Sequence, residues 1–228
     1  MQREVVLDTE TTGLDPCSGH RVIEIGGIEL INHIPTGREY QAYINPKRDV
    51  PAEATNISGI TTEFLVDKPL FADVVGDFLS FISDSNLVIH NAAFDIKFLN
   101  FELNLVEKPL ISQSRAVDTL FMARQKFPGS PASLDALCNR FNIDASVRVK
   151  HGAVIDCKLL AEVYLNLIGG RQTKFTFLNE GKSASQEHVK FERKFTAPRP
   201  HFPTEEEIKI HRKFLEKIES PVWHDYIK

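Results

Sequence analysis

The sequence is short of several things, and each shortage closes off a class of protein. No apolar run is long enough to span a bilayer. The opening stretch "MQREVVLDTE" has no apolar segment between a basic start and a cleavage site, so a cytoplasmic chain is expected. There are only three cysteines, and Cys17, Cys138 and Cys157 are odd in number and scattered, without disulfide or metal-binding spacing. Reduced thiols follow. Positive charge is also scarce: 27 basic against 31 acidic residues leave a formal charge of -4. That balance disfavours gripping a long duplex by charge alone. It does not exclude a chain that meets a nucleic acid end through bound divalent cations, which can supply the missing positive charge. No internal repeat is evident. The remainder is ordinary, 42% hydrophobic and 25% charged over 228 residues, enough for one sizeable α/β domain with an appendage.

Strand signals come first. Val5–Leu7, 21–30 and 39–45 are separated by Gly, Asn and Pro, which predicts an antiparallel meander. Val5–Leu7 is an unbroken aliphatic run, suited to a strand covered on both faces. In "FADVVGDFLSFI", Phe71, Val74, Val75, Phe78, Leu79 and Ile82 recur at helical spacing and predict a core-packing helix. A short strand is predicted at 87–90, a helix from Phe94, a strand passing into a helix over 116–127, and a helix after Ser133, which can cap it. The last strong amphipathic pattern, 153–168, stops at Gly169-Gly170. Three antiparallel strands followed by alternating helices and strands give an α/β fold, a mixed sheet flanked by helices. Residues 171–203 lose all periodicity and are taken as a flexible linker, and 204–228 as a terminal helical segment with Thr204 as its cap. The main folded domain is therefore bounded at 1–170.

Asp8 and Glu10 follow the first strand directly. Two apart on a strand, they would share a face as like charges, which is unfavourable unless something positive lies between them. Taken alone, the pair also suits a strand ending in water. Asp95 in "HNAAFD" falls at the start of a helix, where any aspartate is favoured by the dipole. His151 and Asp156 are too far apart in angle to share one helix face, but both can reach one site if His151 lies in the loop before Gly152. Asp156 interrupts apolar neighbours, Val154, Ile155, Leu159 and Leu160, which is costly for an unpartnered charge.

The three stretches "DTETTG", "HNAAFD" and "HGAVID", in that order, resemble the motifs of the DEDDh exonuclease family, with its ribonuclease H-like fold. Over nearly the whole length, through "VIEIG", "LVIHNAAFDI", "FPG", "SLDALC" and "AEVYL", the chain is similar to the proofreading (epsilon) family of bacterial DNA polymerase III. The resemblance implies a 3′→5′ exonuclease using two divalent ions, Mg²⁺ or Mn²⁺, with Asp8, Glu10 and Asp156 as ligands and Asp95 contributing partly through water. Hard cations require such oxygen ligands. His151 is then the general base, a role that an imidazole titrating near neutrality suits. Alignment on "ISGIT" places Glu53 and Ser58 beside the terminal nucleotide, Ser58 standing where the family often has His. A few frayed nucleotides at a 3′ DNA end are all such an enzyme must hold. In the tail, "QTKFTF" resembles a sliding-clamp-binding peptide with Gln172, Phe175 and Phe177 as anchors. The terminal helix, with Ile208, Leu215 and Ile218 on one side, resembles the segment that docks on the polymerase catalytic subunit. Two other readings stand beside this one: a freestanding DEDDh nuclease trimming RNA or repair intermediates, and a structural replisome subunit without catalysis.

Overall fold

The computed structural model describes residues 2–146, 150–169 and 202–218. Its contacts divide the chain into two units, Met1–Phe177 and Leu178–Lys228. The first holds a five-stranded sheet in the order β3-β2-β1-β4-β5. Strands β1 (Arg3–Thr11), β2 (Val22–Ile31) and β3 (Ile34–Tyr43) are the predicted antiparallel meander. β4 (Asn86–Ile89) and β5 (Ala116–Asp118) then add in parallel to β1.

β1 lies in the middle of the sheet, and its alternation divides the core. Val5 and Leu7 face a cluster with Phe71, Phe78, Ile82, Phe98 and Leu99. These belong to α3 (Phe71–Ile82) and α4 (Ala92–Leu105). Val6 faces the opposite cluster, with Ala123, Leu137, Leu160 and Val163. Those come from α5 (Thr119–Lys126), α6 (Leu134–Phe141) and α7 (Ala153–Leu167). Covered on both faces, Val5–Leu7 is continuously apolar, as a central strand should be.

Two elements were not anticipated, α1 (Ala52–Ser58) and α2 (Thr62–Leu65). α1 buries none of its residues, so it carries no apolar periodicity to read. Its punctuation was nevertheless present: Pro51 precedes the helix formers Ala52 and Glu53, and Gly59 follows with φ of 79°, a left-handed stop. Ser133 caps α6 through the Ala136 amide as predicted.

In the second unit, α8 (Glu205–Leu215) begins in a capping box between Thr204 and Glu207. Ile208 and Ile218 are partly exposed, at 38% and 39%, but Leu215 is only 3% exposed. Of the three residues expected to dock on a partner, Leu215 alone is therefore covered. Gln172, Phe175 and Phe177, and nearly all of the expected linker 171–203, lie outside the described residues.

Candidate active site

β1 does not stop before its acids. It carries Asp8 and Glu10 inside the ladder, opposite Gly26 and Glu24 of β2, and its register breaks only between Glu10 and Thr11. The two carboxylates are thus fixed by backbone pairing on the face that α7 covers. Opposite Asp8, Gly26 makes the approach of that helix possible: a Cβ there would land on the backbone of Ala153 and Val154, far inside van der Waals contact. With no side chain in the way, the first turn of α7 sits against the sheet. The Cys157 thiol, one residue beyond Asp156, reaches the Gly26 carbonyl at 3.4 Å.

Asp156 lies in that first turn, 4% exposed, its amide bonded to the Gly152 carbonyl at 2.9 Å. His151 is in the preceding loop, as its spacing from Asp156 required, and its Nδ1 is 3.4 Å from Asp156 Oδ2. The loop is pinned by the His151 amide, which donates to the Ile57 carbonyl of α1 at 3.2 Å. Asp95 arrives from the other side. Asn91 takes a left-handed conformation (φ 67°) at the end of β4, and α4 starts immediately after it. The Asp118 carboxylate holds this corner by accepting the amides of Asn91, Leu120 and Phe121 at 3.2, 2.9 and 3.3 Å. Asp95, 3% exposed, then accepts both the Thr9 amide (3.0 Å) and the Thr9 hydroxyl (2.7 Å).

Like charges and burial act together here. The Asp8 carboxyl is held well above the usual carboxylate range by burial first, then by Asp95, Glu10, Asp156 and Glu24. Burial likewise pushes Asp95 up to about 7, with the Thr9 hydrogen bonds opposing it. Ligand atoms of Glu10, His151 and Asp156 lie within 4.8 Å of one another, a group able to hold a metal ion. Within that radius the structure groups Glu10 and Asp156 with His151; Asp8 is tied to them through its electrostatics rather than as a fourth member. The donor set fits hard divalent cations, because carboxylates that repel one another in a covered site are stabilised by a shared cation.

Beside this cluster opens a cavity of about 540 Å³, within the usual range for small-molecule sites. The β1–β2 turn and α1 line it, with Thr12, Leu14, His20, Glu53, Ile57 and Phe94 among the lining residues. Glu53 lines the cavity. Ser58 does not: its hydroxyl donates to the Ala54 carbonyl (3.0 Å) and accepts the Ile60 amide (3.2 Å), which closes the end of α1. Leu14, Ile57 and Phe94 were not anticipated. One signal was legible, a leucine set in the polar turn "TTGLDP" and left 84% exposed, with no core to enter.

Residues 5–164 match the family described as "Exonuclease". The DNA polymerase III subunit epsilon of Rickettsia felis is 52% identical over 224 residues, covering 95% of this chain and 96% of the relative. This chain belongs to the DNA polymerase III epsilon-subunit family of exonucleases. The Escherichia coli K12 epsilon subunit is 42% identical over 229 residues, with 96% and 94% of the two chains covered. Among solved structures, the nuclease domain of 3′hExo, a DEDDh family member bound to rAMP, superposes with a TM-score of 0.64 at 18% identity. The match spans 75% of this chain and 93% of that one. Exonuclease X in complex with 5′-overhanging duplex DNA gives a TM-score of 0.57 at 22% identity, covering 75% and 94%. At such identities these two share the fold, the mixed sheet with helices on both faces. Exonucleases of this kind depend on metal, consistent with the acidic cluster described above. No described helix is long and apolar enough to cross a membrane.

Proposed function

We propose that this chain proofreads for the replicative polymerase, removing 3′-terminal nucleotides from DNA in the cytoplasm. The observation that carries the reading is the convergence of Glu10, His151 and Asp156 within 4.8 Å beside the cavity that Glu53 lines. Asp8, Glu10 and Asp156 would hold two Mg²⁺ or Mn²⁺ ions, with Asp95 contributing partly through water. Bound there, such ions stabilise negative charge on the attacking and leaving oxygens of a phosphodiester. His151 takes the proton of the attacking water. Its ring is half exposed at 46%, so it can both receive that proton and pass it to solvent. Thr12, Leu14 and Phe94 receive the terminal base and sugar. Glu53 contacts the terminal nucleotide, and Ser58 serves by ending α1, the wall that carries Glu53 and Ile57.

The tail supplies location. Gln172, Phe175 and Phe177 bind the sliding clamp, and α8 docks on the DNA polymerase III catalytic subunit through Ile208 and Ile218. Relatives that share almost the full length, tail included, are named as subunits of that polymerase. Tethering raises the local concentration of nuclease at the primer end without new contacts at the site.

One assay tests this reading. The full chain is incubated with 3′-mismatched DNA primers and with matched RNA strands, with and without excess EDTA, alone and with the polymerase subunit. Faster loss of the mismatched DNA end, abolished by EDTA, is expected. Preference for RNA would favour the freestanding trimming enzyme instead, and full activity in EDTA would end the metal assignment. A chain cut at residue 170 should degrade single strands as well as the full chain but lose co-purification with the polymerase.

A further inference from the structure

Glu24 belongs to none of the three motifs, yet it is bonded to the start of the helix that carries Asp156. It lies across the ladder from Glu10 and so shares its face of the sheet. At 2% exposure it is buried. Both of its oxygens are engaged. Oε1 accepts the Gln41 side-chain amide at 2.7 Å, and that amide also meets the Tyr43 hydroxyl at 3.0 Å. Oε2 accepts the backbone N–H of Ala153 at 3.2 Å.

Ala153 opens α7, and its amide is one of the donors that a helix start leaves without an intrahelical partner. Gly152 stands at the cap position and has no side chain to offer. Glu24 thus caps the helix from a neighbouring strand. His151 is two residues before the bonded amide and Asp156 three after it, so this bond lies at the hinge between them. Placing another carboxylate beside Asp8 and Glu10 adds repulsion where the site already has it. A cap formed by a neutral residue would avoid that cost.

We propose that Glu24 is a positioning residue of the site: by holding the Ala153 amide it fixes the first turn of α7, so that Asp156 and His151 both reach Glu10. The inference rests on the reading above only for its activity arm; its structural arm needs no nuclease activity.

The test compares full-length Glu24→Gln, Glu24→Ala and Gln41→Ala with the wild type. Three quantities are read: Mn²⁺ affinity by calorimetric titration, kcat and KM on single-stranded DNA, and thermal unfolding. Glutamine keeps an acceptor for Ala153, and Gln41 can turn its amide to match. Glu24→Gln should therefore stay within about threefold of wild type in both Mn²⁺ affinity and kcat. Glu24→Ala should weaken Mn²⁺ binding by about 10–100-fold, the usual consequence of losing a partner behind a metal ligand. Its kcat should fall in step. KM for DNA should hold, since the cavity is built from α1 and the β1–β2 turn. A merely structural cap would lower the melting temperature and leave Mn²⁺ affinity untouched below it. Wild-type affinity and kcat in folded Glu24→Ala overturns the proposal, and so does a Glu24→Gln variant as impaired as Glu24→Ala. Should Glu24→Ala not fold, Gln41→Ala on the exposed strand carries the test. Losing the donor on Oε1 should weaken Mn²⁺ binding by a few-fold, and unchanged affinity there overturns the proposal. A wild type that binds Mn²⁺ but cuts no DNA refutes the nuclease reading and leaves the binding arm to judge Glu24.

Discussion

Glu4 and Asp8 stand on the same face of the same strand, and both look toward α7, yet their circumstances are opposite. Glu4 has every need met. It accepts the Tyr164 hydroxyl at 2.8 Å and the Gln2 side-chain amide at 3.2 Å, and it pairs with His33 at 2.6 Å. Asp8, at the other end of the helix, has neighbours of its own sign, Asp95, Glu10, Asp156 and Glu24, and a carboxyl driven upward by burial and repulsion. A buried acid kept for stability is surrounded by donors. On the proposed reading, one kept for chemistry is left in want of a cation, at a cost to the metal-free fold.

The sharpest way to break this contrast is Asp8→Asn. Degradation should fall below detection while the metal-free protein melts at a higher temperature than wild type, because repulsion has been relieved; lower stability would remove Asp8 from the class of strained acids. Next, His151→Gln should lower turnover by about 10²–10⁴-fold, the worth of a positioned base, with DNA binding by filter retention unchanged. Near-normal turnover would exclude it from proton transfer. The converse change at the quiet end, Glu4→Ala, should cost about 2–3 kcal/mol in urea unfolding, since the Tyr164 hydroxyl loses its buried acceptor. Activity per folded molecule should not change. The last is a pH effect. The folded state keeps a proton on Asp95 up to about 7, whereas the unfolded chain gives it up near an ordinary carboxylate value of about 4. The contribution of this group is therefore fully present below about pH 4 and lost as pH rises to about 7, making the metal-free protein less stable across that window. Added Mn²⁺ should flatten the slope, as should Asp95→Asn; a metal-free stability that rises with pH in both proteins would contradict it.

How much of this was legible beforehand differs by element, for physical reasons. The helix over Phe71–Ile82 was readable to the residue, because one apolar face meets one core. The strand under Asp8 and Glu10 was readable only to Leu7, because local pattern marks where apolar residues end and not where pairing ends. β1 runs on to Thr11 through its ladder with β2. α1 was missed since it buries nothing, yet it walls the cavity and pins the histidine loop. His151 and Asp156 could be placed together from spacing plus a glycine. That Gly26 decides how near they come could not, because it depends on a strand register that no local pattern encodes. Glu24 went unnoticed for the same reason. A glutamate within an apolar strand signals a buried partner, and sequence alone does not name the Ala153 amide.

The seating of α7 on Gly26 also has a consequence in time. Asp8 leaves the ribosome well before Asp156, which emerges only when the domain is almost finished. Pairing of β1 with β2 can form early, but until the helix drops onto the bare glycine the carboxylates are separate acids in separate pieces of chain. A nascent or half-folded copy therefore has no complete cluster with which to cut. Activity arrives with the last piece of the fold, and a contact between residues distant in sequence acts as the latch on the nuclease.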